Sequence, residues 1–119
     1  MKSTNEDEPA VVVVRAYDFV RWLIPKAERF PRNFRFSLGE RLVAASLDLL
    51  LDLVEAAYAS DKSRALERAA RCVNSVRYLV RLSKDLKIMT VESYGFACER
   101  IEEIGRMTGG WQKANRKRE

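Results

Sequence analysis

Apolar residues recur at spacings of three and four along most of this chain, the pattern of helices that turn one face inward. In the first stretch, from about Val11 to Phe30, the positions are Val13, Phe19, Val20, Leu23, Ile24 and Ala27. Four consecutive valines from Val11 favour extended backbone locally. Pro25 predicts either a kink or a helix start just ahead of it. The segment from Phe30 to Phe36 then reads as a connector. Ser37 followed by Glu40 forms a capping box, which predicts the start of a second helix running to about Ala59. From Leu42 to Ala59 only Ser46, Asp48, Asp52 and Glu55 are not apolar. A helix apolar around most of its circumference is buried on more than one side. In a chain this short, that implies a subunit contact in addition to the core.

Ser60 or Asp61 is expected to cap a third helix reaching about Lys87. In a heptad frame Ala65, Cys72, Leu79 and Leu86 share one position, and Leu66, Val73 and Val80 share its neighbour, with Ala69 and Val76 between. Thr90 caps a fourth helix whose inward face is Tyr94, Ala97, Cys98, Ile101 and Ile104. Gly109 and Gly110 are expected to stop it, with Trp111 folding back over the end of the core. Four helices with short connections predict an all-α, up-down-up-down four-helix bundle. It spans residues 11–111, between a flexible acidic extension (1–10) and a basic flexible tail (112–119).

Composition narrows the function. The 119 residues form one domain and include 5 Gly, 3 Pro and no His. The absence of histidine removes Ser-His-Asp and Cys-His catalysis, His-ligated zinc and Glu-x-x-His di-iron sites. Cys72 and Cys98 form no C-x-x-C pair, so the chain fits a reducing cytoplasm, with both cysteines as small buried hydrophobes. The Val11–Val14 run is cut by Arg15, Asp18 and Arg21, far short of a membrane span. No basic leader opens the chain. No cofactor, metal or membrane partner is expected.

The formal charge of +5 is unevenly placed. From Asp48 to Asp61 there are four acids and no base, whereas from Lys62 to Lys87 there are eight bases against Glu67 and Asp85. On the third helix Arg64, Arg68 and Arg71 fall at i, i+4 and i+7, and Arg77, Arg81 and Lys84 repeat the spacing. Both trios are expected on the solvent side. A second basic run, Arg21, Lys26, Arg29, Arg32 and Arg35, leads into the connector with Phe30, Phe34 and Phe36 interleaved. Guanidinium groups on a rigid rod suit phosphate or carboxylate partners. The plain alternative is that the arginines neutralise the acidic stripe Asp48/Asp52/Glu55 across a helix or subunit contact. A self-repelling cationic stripe nevertheless points to an anionic partner, nucleic acid or an acidic protein surface. An enzyme reading would need Asp48/Asp52/Glu55 and Glu99/Glu102/Glu103 to converge on Mg²⁺, as in all-α nucleotide pyrophosphohydrolases. No phosphate loop or nucleophile elbow accompanies them.

Several blocks also resemble one family. Trp22-Leu23-Ile24-Pro25-Lys26, Phe30-Pro31 and Ser37-Leu38-Gly39-Glu40-Arg41-Leu42 are followed by the run from Arg77 to Lys87 and by Glu103 to Trp111. Together they resemble the accessory variability determinant (Avd) proteins of diversity-generating retroelements, over about Tyr17 to Trp111. The resemblance implies a bundle that assembles as a homopentameric barrel. It also implies a non-catalytic partner of the retroelement reverse transcriptase in mutagenic cDNA synthesis, with basic residues engaging that enzyme and RNA or DNA. Carried onto this chain, those residues are Arg77, Arg81 and Lys84, with Arg29 and Arg32. A second relative, the four-helix protein encoded in intervening sequences of bacterial 23S rRNA genes, would make the chain a nucleic-acid-binding or adaptor module instead.

Overall fold

A computed structural model describes residues 4–118, with side chains from Val11 onward. Among the described residues the chain is all-helical. Helices α1 (Thr4–Glu28), α2 (Glu40–Tyr58), α3 (Ser63–Asp85) and α4 (Val91–Arg118) pack as a ring. In that ring α1 lies against α2 and α4, and α3 lies against α2 and α4. This is the expected bundle. α1 and α3 therefore end at the same extremity, where the connector and the α3–α4 loop also lie.

The inward faces follow the periodicity. Val12, Ala16, Phe19, Leu23, Leu42, Leu49, Leu53, Ala65, Leu66, Ala69, Val73, Val76, Val80, Ala97, Ile101 and Ile104 form the core. Its buried hydroxyls bond back along their own helices: Ser83 Oγ donates to Leu79 O at 2.8 Å, and Thr108 Oγ1 to Ile104 O at 2.8 Å. Leu86, placed with the core by the heptad frame, is 45% exposed because α3 has already ended at Asp85.

The helix ends differ from expectation in several places. α1 begins at Thr4 and continues through both the valine run and Pro25. Pro25 is exposed and one turn from the end, so it forfeits a single backbone bond. Residues 1–3 of the predicted extension lie outside the described residues. The Ser37/Glu40 capping box does not form. One turn of helix (Arg32–Phe34) passes directly into a wider π turn (Arg35–Gly39), and the backbone is already helical at Gly39, with φ −59° and ψ −49°. With no helix start at that point there is no free N–H for a cap to serve, and Ser37 Oγ donates instead to Phe34 O at 3.4 Å.

Gly109 and Gly110 do not stop α4, which runs on to Arg118. A glycine ends a helix by turning left-handed, and no glycine here has positive φ. The following turn places Trp111 in the core at 7% exposure. Burying an indole outweighs about 1 kcal/mol for each helical glycine. The expected cap at Thr90 is present, its Oγ1 accepting from the Ser93 N–H at 3.1 Å. The N-cap of α3 is Lys62 and not Ser60 or Asp61, with Asp61 Oδ1 accepting from the Ser63 N–H at 3.1 Å just ahead of the helix.

The left-handed residue occurs at the end of α3, where Lys87 has φ 63°. The Lys87 N–H reaches Lys84 O at 2.9 Å, and the Ile88 N–H reaches Ser83 O at 3.0 Å. That pair of bonds is a Schellman motif with lysine where glycine is usual.

Candidate functional site

The two arginine trios of α3 do not share a face. Arg64 and Arg77 are thirteen residues apart, which at 3.6 residues per turn separates them by about 140° around the helix. One trio therefore flanks α2 and the other flanks α4. Arg64, Arg71 and Arg81 are exposed, while Arg68, Arg77 and Lys84 are half-buried against a neighbouring helix. The expectation that both trios face solvent is corrected accordingly.

On the α2 flank, Arg68 meets the acidic stripe. Its Nε lies 3.2 Å from Asp52 Oδ1 and its Nη2 2.6 Å from Glu55 Oε2. The hydrogen bonds to Glu55 and then Asp52 hold the guanidinium pKa above its usual value. Beneath it the Cys72 thiol donates to Asp52 Oδ2 at 3.7 Å. Burial, and then the Asp52 charge, push that thiol up to about 11. It is a neutral packing group at physiological pH, as expected for a cysteine at helical spacing. Arg71 pairs along its own helix with Glu67 at 2.7 Å.

On the α4 flank, Arg77 Nε meets Glu102 Oε1 at 2.6 Å, and its Nη1 donates to Asn74 Oδ1 at 2.6 Å. The trio's own helix supplies Asp85 as a neighbouring acid, and α4 contributes a second, Glu102. The guanidinium fits because the facing residue is Gly105, where a Cβ would lie 3.2 Å from Val73 Cγ1 and 3.4 Å from Arg77 Nη2. Arg81 and Lys84 make longer contacts to Asp85, at 3.9 and 3.6 Å. Lys84 Nζ also sits 5.2 Å from the centre of the Tyr94 ring. Exposed pairs of this length contribute at most about 1 kcal/mol, so Arg81 and Lys84 can exchange partners readily.

The carboxylates of the enzyme reading are dispersed. Asp52 and Glu55 are engaged by Arg68, Glu102 by Arg77, and Glu103 by Arg15 at 3.6 Å. They occupy three different seams of the bundle, and among the described residues no group of three or more forms a metal cluster.

Arg29, Arg32 and Arg35 stand apart. All three are exposed, and none has a carboxylate within ion-pair distance among the described residues. They lie at the end of the bundle shared with Arg81, Lys84 and Lys87. The up-down-up-down order implies this shared end, which the periodicity of each segment alone does not show. Beside Arg35, Phe36 is 69% exposed. Lys26 and Arg100 were not singled out as a pair; they sit over Trp22 at 5.7 Å and Phe96 at 4.8 Å, and these two rings are themselves 4.7 Å apart. Trp22 is thus a packing anchor, packed against the core.

The outer face of α2 is the other prominent surface. Opposite the buried Leu42, Leu49 and Leu53 it presents Leu47 (37% exposed), Leu51 (61%) and Tyr58 (88%). A groove of about 410 Å³ between α1 and α2, lined by Ile24, Val43, Leu47 and Phe36 among others, opens onto this face. None of the described helices is long and apolar enough to cross a membrane.

A family model described as bAvd-like matches residues 10–115, nearly the whole helical bundle. No curated protein matches the chain.

Proposed function

Since this chain belongs to the bAvd-like family, we propose that it is a non-catalytic accessory protein of a diversity-generating retroelement, working in the cytoplasm with the element's reverse transcriptase and with nucleic acid during mutagenic cDNA synthesis. The family match carries this reading, and the distribution of charge and apolar surface supports it. Arg68 and Arg77 join α3 to its neighbours. Arg64, Arg71, Arg81 and Lys84 remain exposed or loosely paired along α3, suited to an acidic surface of the reverse transcriptase. Arg29 and Arg32 in the connector have no counter-charge within ion-pair distance among the described residues and suit phosphate.

The bundle works as a homo-oligomer, a pentamer on the family resemblance. Its contact includes the outer face of α2, where Leu47, Leu51 and Tyr58 are too large and too exposed together to be left in water at no cost. A ring of copies would repeat each weak basic contact, so that affinity rises by multivalency.

The test is co-purification with the reverse transcriptase encoded by the same element. Wild-type protein is expected to capture the enzyme, and Arg81→Ala/Lys84→Ala to capture much less while keeping its helical circular dichroism and oligomer mass. A wild-type protein that fails to retain the enzyme at low salt would refute the accessory role.

A further inference from the structure

We infer that the connector between α1 and α2 is a binding platform for single-stranded nucleic acid, with Arg29, Arg32 and Arg35 on phosphates and Phe36 as the stacking surface for a base. The inference rests on the proposed nucleic-acid role, and it assigns that role to one short segment and one kind of strand.

Availability of charge separates this segment from all of α3 but Arg64, which is exposed and has no acid within 4 Å among the described residues. Five basic side chains of α3 have an acid within 4 Å, namely Arg68, Arg71, Arg77, Arg81 and Lys84. A phosphate must compete with those carboxylates. From Arg29 to Gly39 there are three arginines and no acid. The nearest acids, Glu28 and Glu40, bracket the segment and line the groove between α1 and α2 together with Arg35 and Phe36, but neither is within ion-pair distance of Arg29, Arg32 or Arg35 among the described residues. The arginines there meet a phosphate without first giving up a partner.

Position adds to availability. Arg32 and Arg35 are three residues apart in consecutive helical turns, which places their stems about 5–6 Å apart on one side. The segment is held firmly from beneath. Phe30 and Leu38 are buried at 3% and 8%, the Phe34 and Arg35 N–H groups both bond to Pro31 O at 2.8 and 3.0 Å, and a Cβ at Gly39 would already lie 3.5 Å from Ala27 O and the Phe30 ring. Little ordering entropy is therefore left to lose on binding.

Phe36 distinguishes a single strand from a duplex. Its ring is 69% exposed, between Arg35 and the equally exposed Ser37. A paired base keeps its faces within the duplex, whereas an unpaired base offers a face to an aromatic ring flanked by guanidinium groups. At the same end of the bundle lies Lys87, which keeps its charge at a left-handed position that glycine would occupy more cheaply,. It extends the cationic rim around the platform.

The test uses the full-length protein and a fluorescein-labelled 20-nucleotide oligouridylate, with a duplex of equal length as comparison, by anisotropy across a salt series. Wild type should prefer the single strand. Arg32→Ala/Arg35→Ala should reduce the log–log salt slope by about 1.4, from about 0.7 per phosphate contact on a single strand. Phe36→Ala should weaken single-strand binding by about 5-fold to 150-fold with the slope unchanged, as loss of one stacked base predicts, and should leave duplex binding as it was. Equal binding by wild type and all variants would overturn the inference while leaving nucleic-acid binding in place. Absence of binding by wild type would remove the nucleic-acid role itself. A fall in light-scattering mass for Phe36→Ala would show the ring buried between copies, which also overturns the inference.

Discussion

The arginines of α3 and those of the connector carry the same charge at similar spacing, yet their surroundings differ. On α3, Arg68 and Arg77 lean over opposite flanks and meet Asp52, Glu55 and Glu102 from neighbouring helices. In the connector, Arg29, Arg32 and Arg35 meet no carboxylate among the described residues. A run of basic residues thus has no fixed meaning by itself. What decides it is which neighbouring element the fold sets beside each side chain. The cationic stripe on α3 is in good part a device for joining helices, and the connector is the place where charge is left for an outside partner.

The same division between inward and outward groups runs through α2, and it provides the largest expected effect. Leu53 is fully buried, so Leu53→Ala should destabilise the bundle by about 2–5 kcal/mol in denaturant unfolding,. Leu51, two residues away and 61% exposed, should behave differently. Leu51→Arg is expected to leave the helical signal intact and to lower the oligomer mass by light scattering. If both substitutions merely unfold the protein, α2 has no separate outer role.

A smaller effect separates the cap that forms from the one that does not. Thr90→Ala should cost about 1 kcal/mol, because Thr90 Oγ1 accepts from the Ser93 N–H at 3.1 Å,. Ser37→Ala should be close to neutral in the same thermal melts, since Ser37 serves no helix start.

Much of this was legible in the sequence. The four inward faces, the ring of helices and the cap at Thr90 followed from the sequence, as did the burial of Trp111, though by a continuing helix and not by a fold-back. The capping box failed because Ser37-x-x-Glu40 reports only that a helix could start, and the preceding turns were already helical. The glycine stop failed because Trp111, one residue further on, gains more from burial than two glycines lose. The pairing of Arg68 with the acidic stripe was visible as an alternative. The pairing of Arg77 with Glu102 was not, since it depends on Gly105 letting α4 come close. The convergence of the connector with the end of α3 is implied by the up-down-up-down order, although no local pattern shows it.

The smallest effect concerns the α2–α3 seam and its pH response. Cys72 titrates near 11, above the usual thiol value of 9.0, through burial and then Asp52. The folded state thus holds the proton more tightly than the unfolded chain. Its contribution to stability is full below about pH 9 and is lost as pH rises towards 11. A melting temperature followed over that range should fall in wild type and fall less in Cys72→Ala. Alkylation of the native protein at pH 9 should be slow compared with the unfolded chain. Equal rates would mean that the seam is open to solvent.

The comparison between the two basic regions is tested most directly by two triple variants studied side by side, Arg68→Ala/Arg71→Ala/Arg77→Ala and Arg29→Ala/Arg32→Ala/Arg35→Ala. Each is followed by thermal melting and by the salt dependence of single-stranded RNA binding. The α3 variant should melt lower and keep most of the salt slope. The connector variant should melt as wild type does and lose about two units of slope, from about 0.7 for each of its contacts. The reverse pattern, with the α3 variant stable but unable to bind and the connector variant binding normally, would contradict the account.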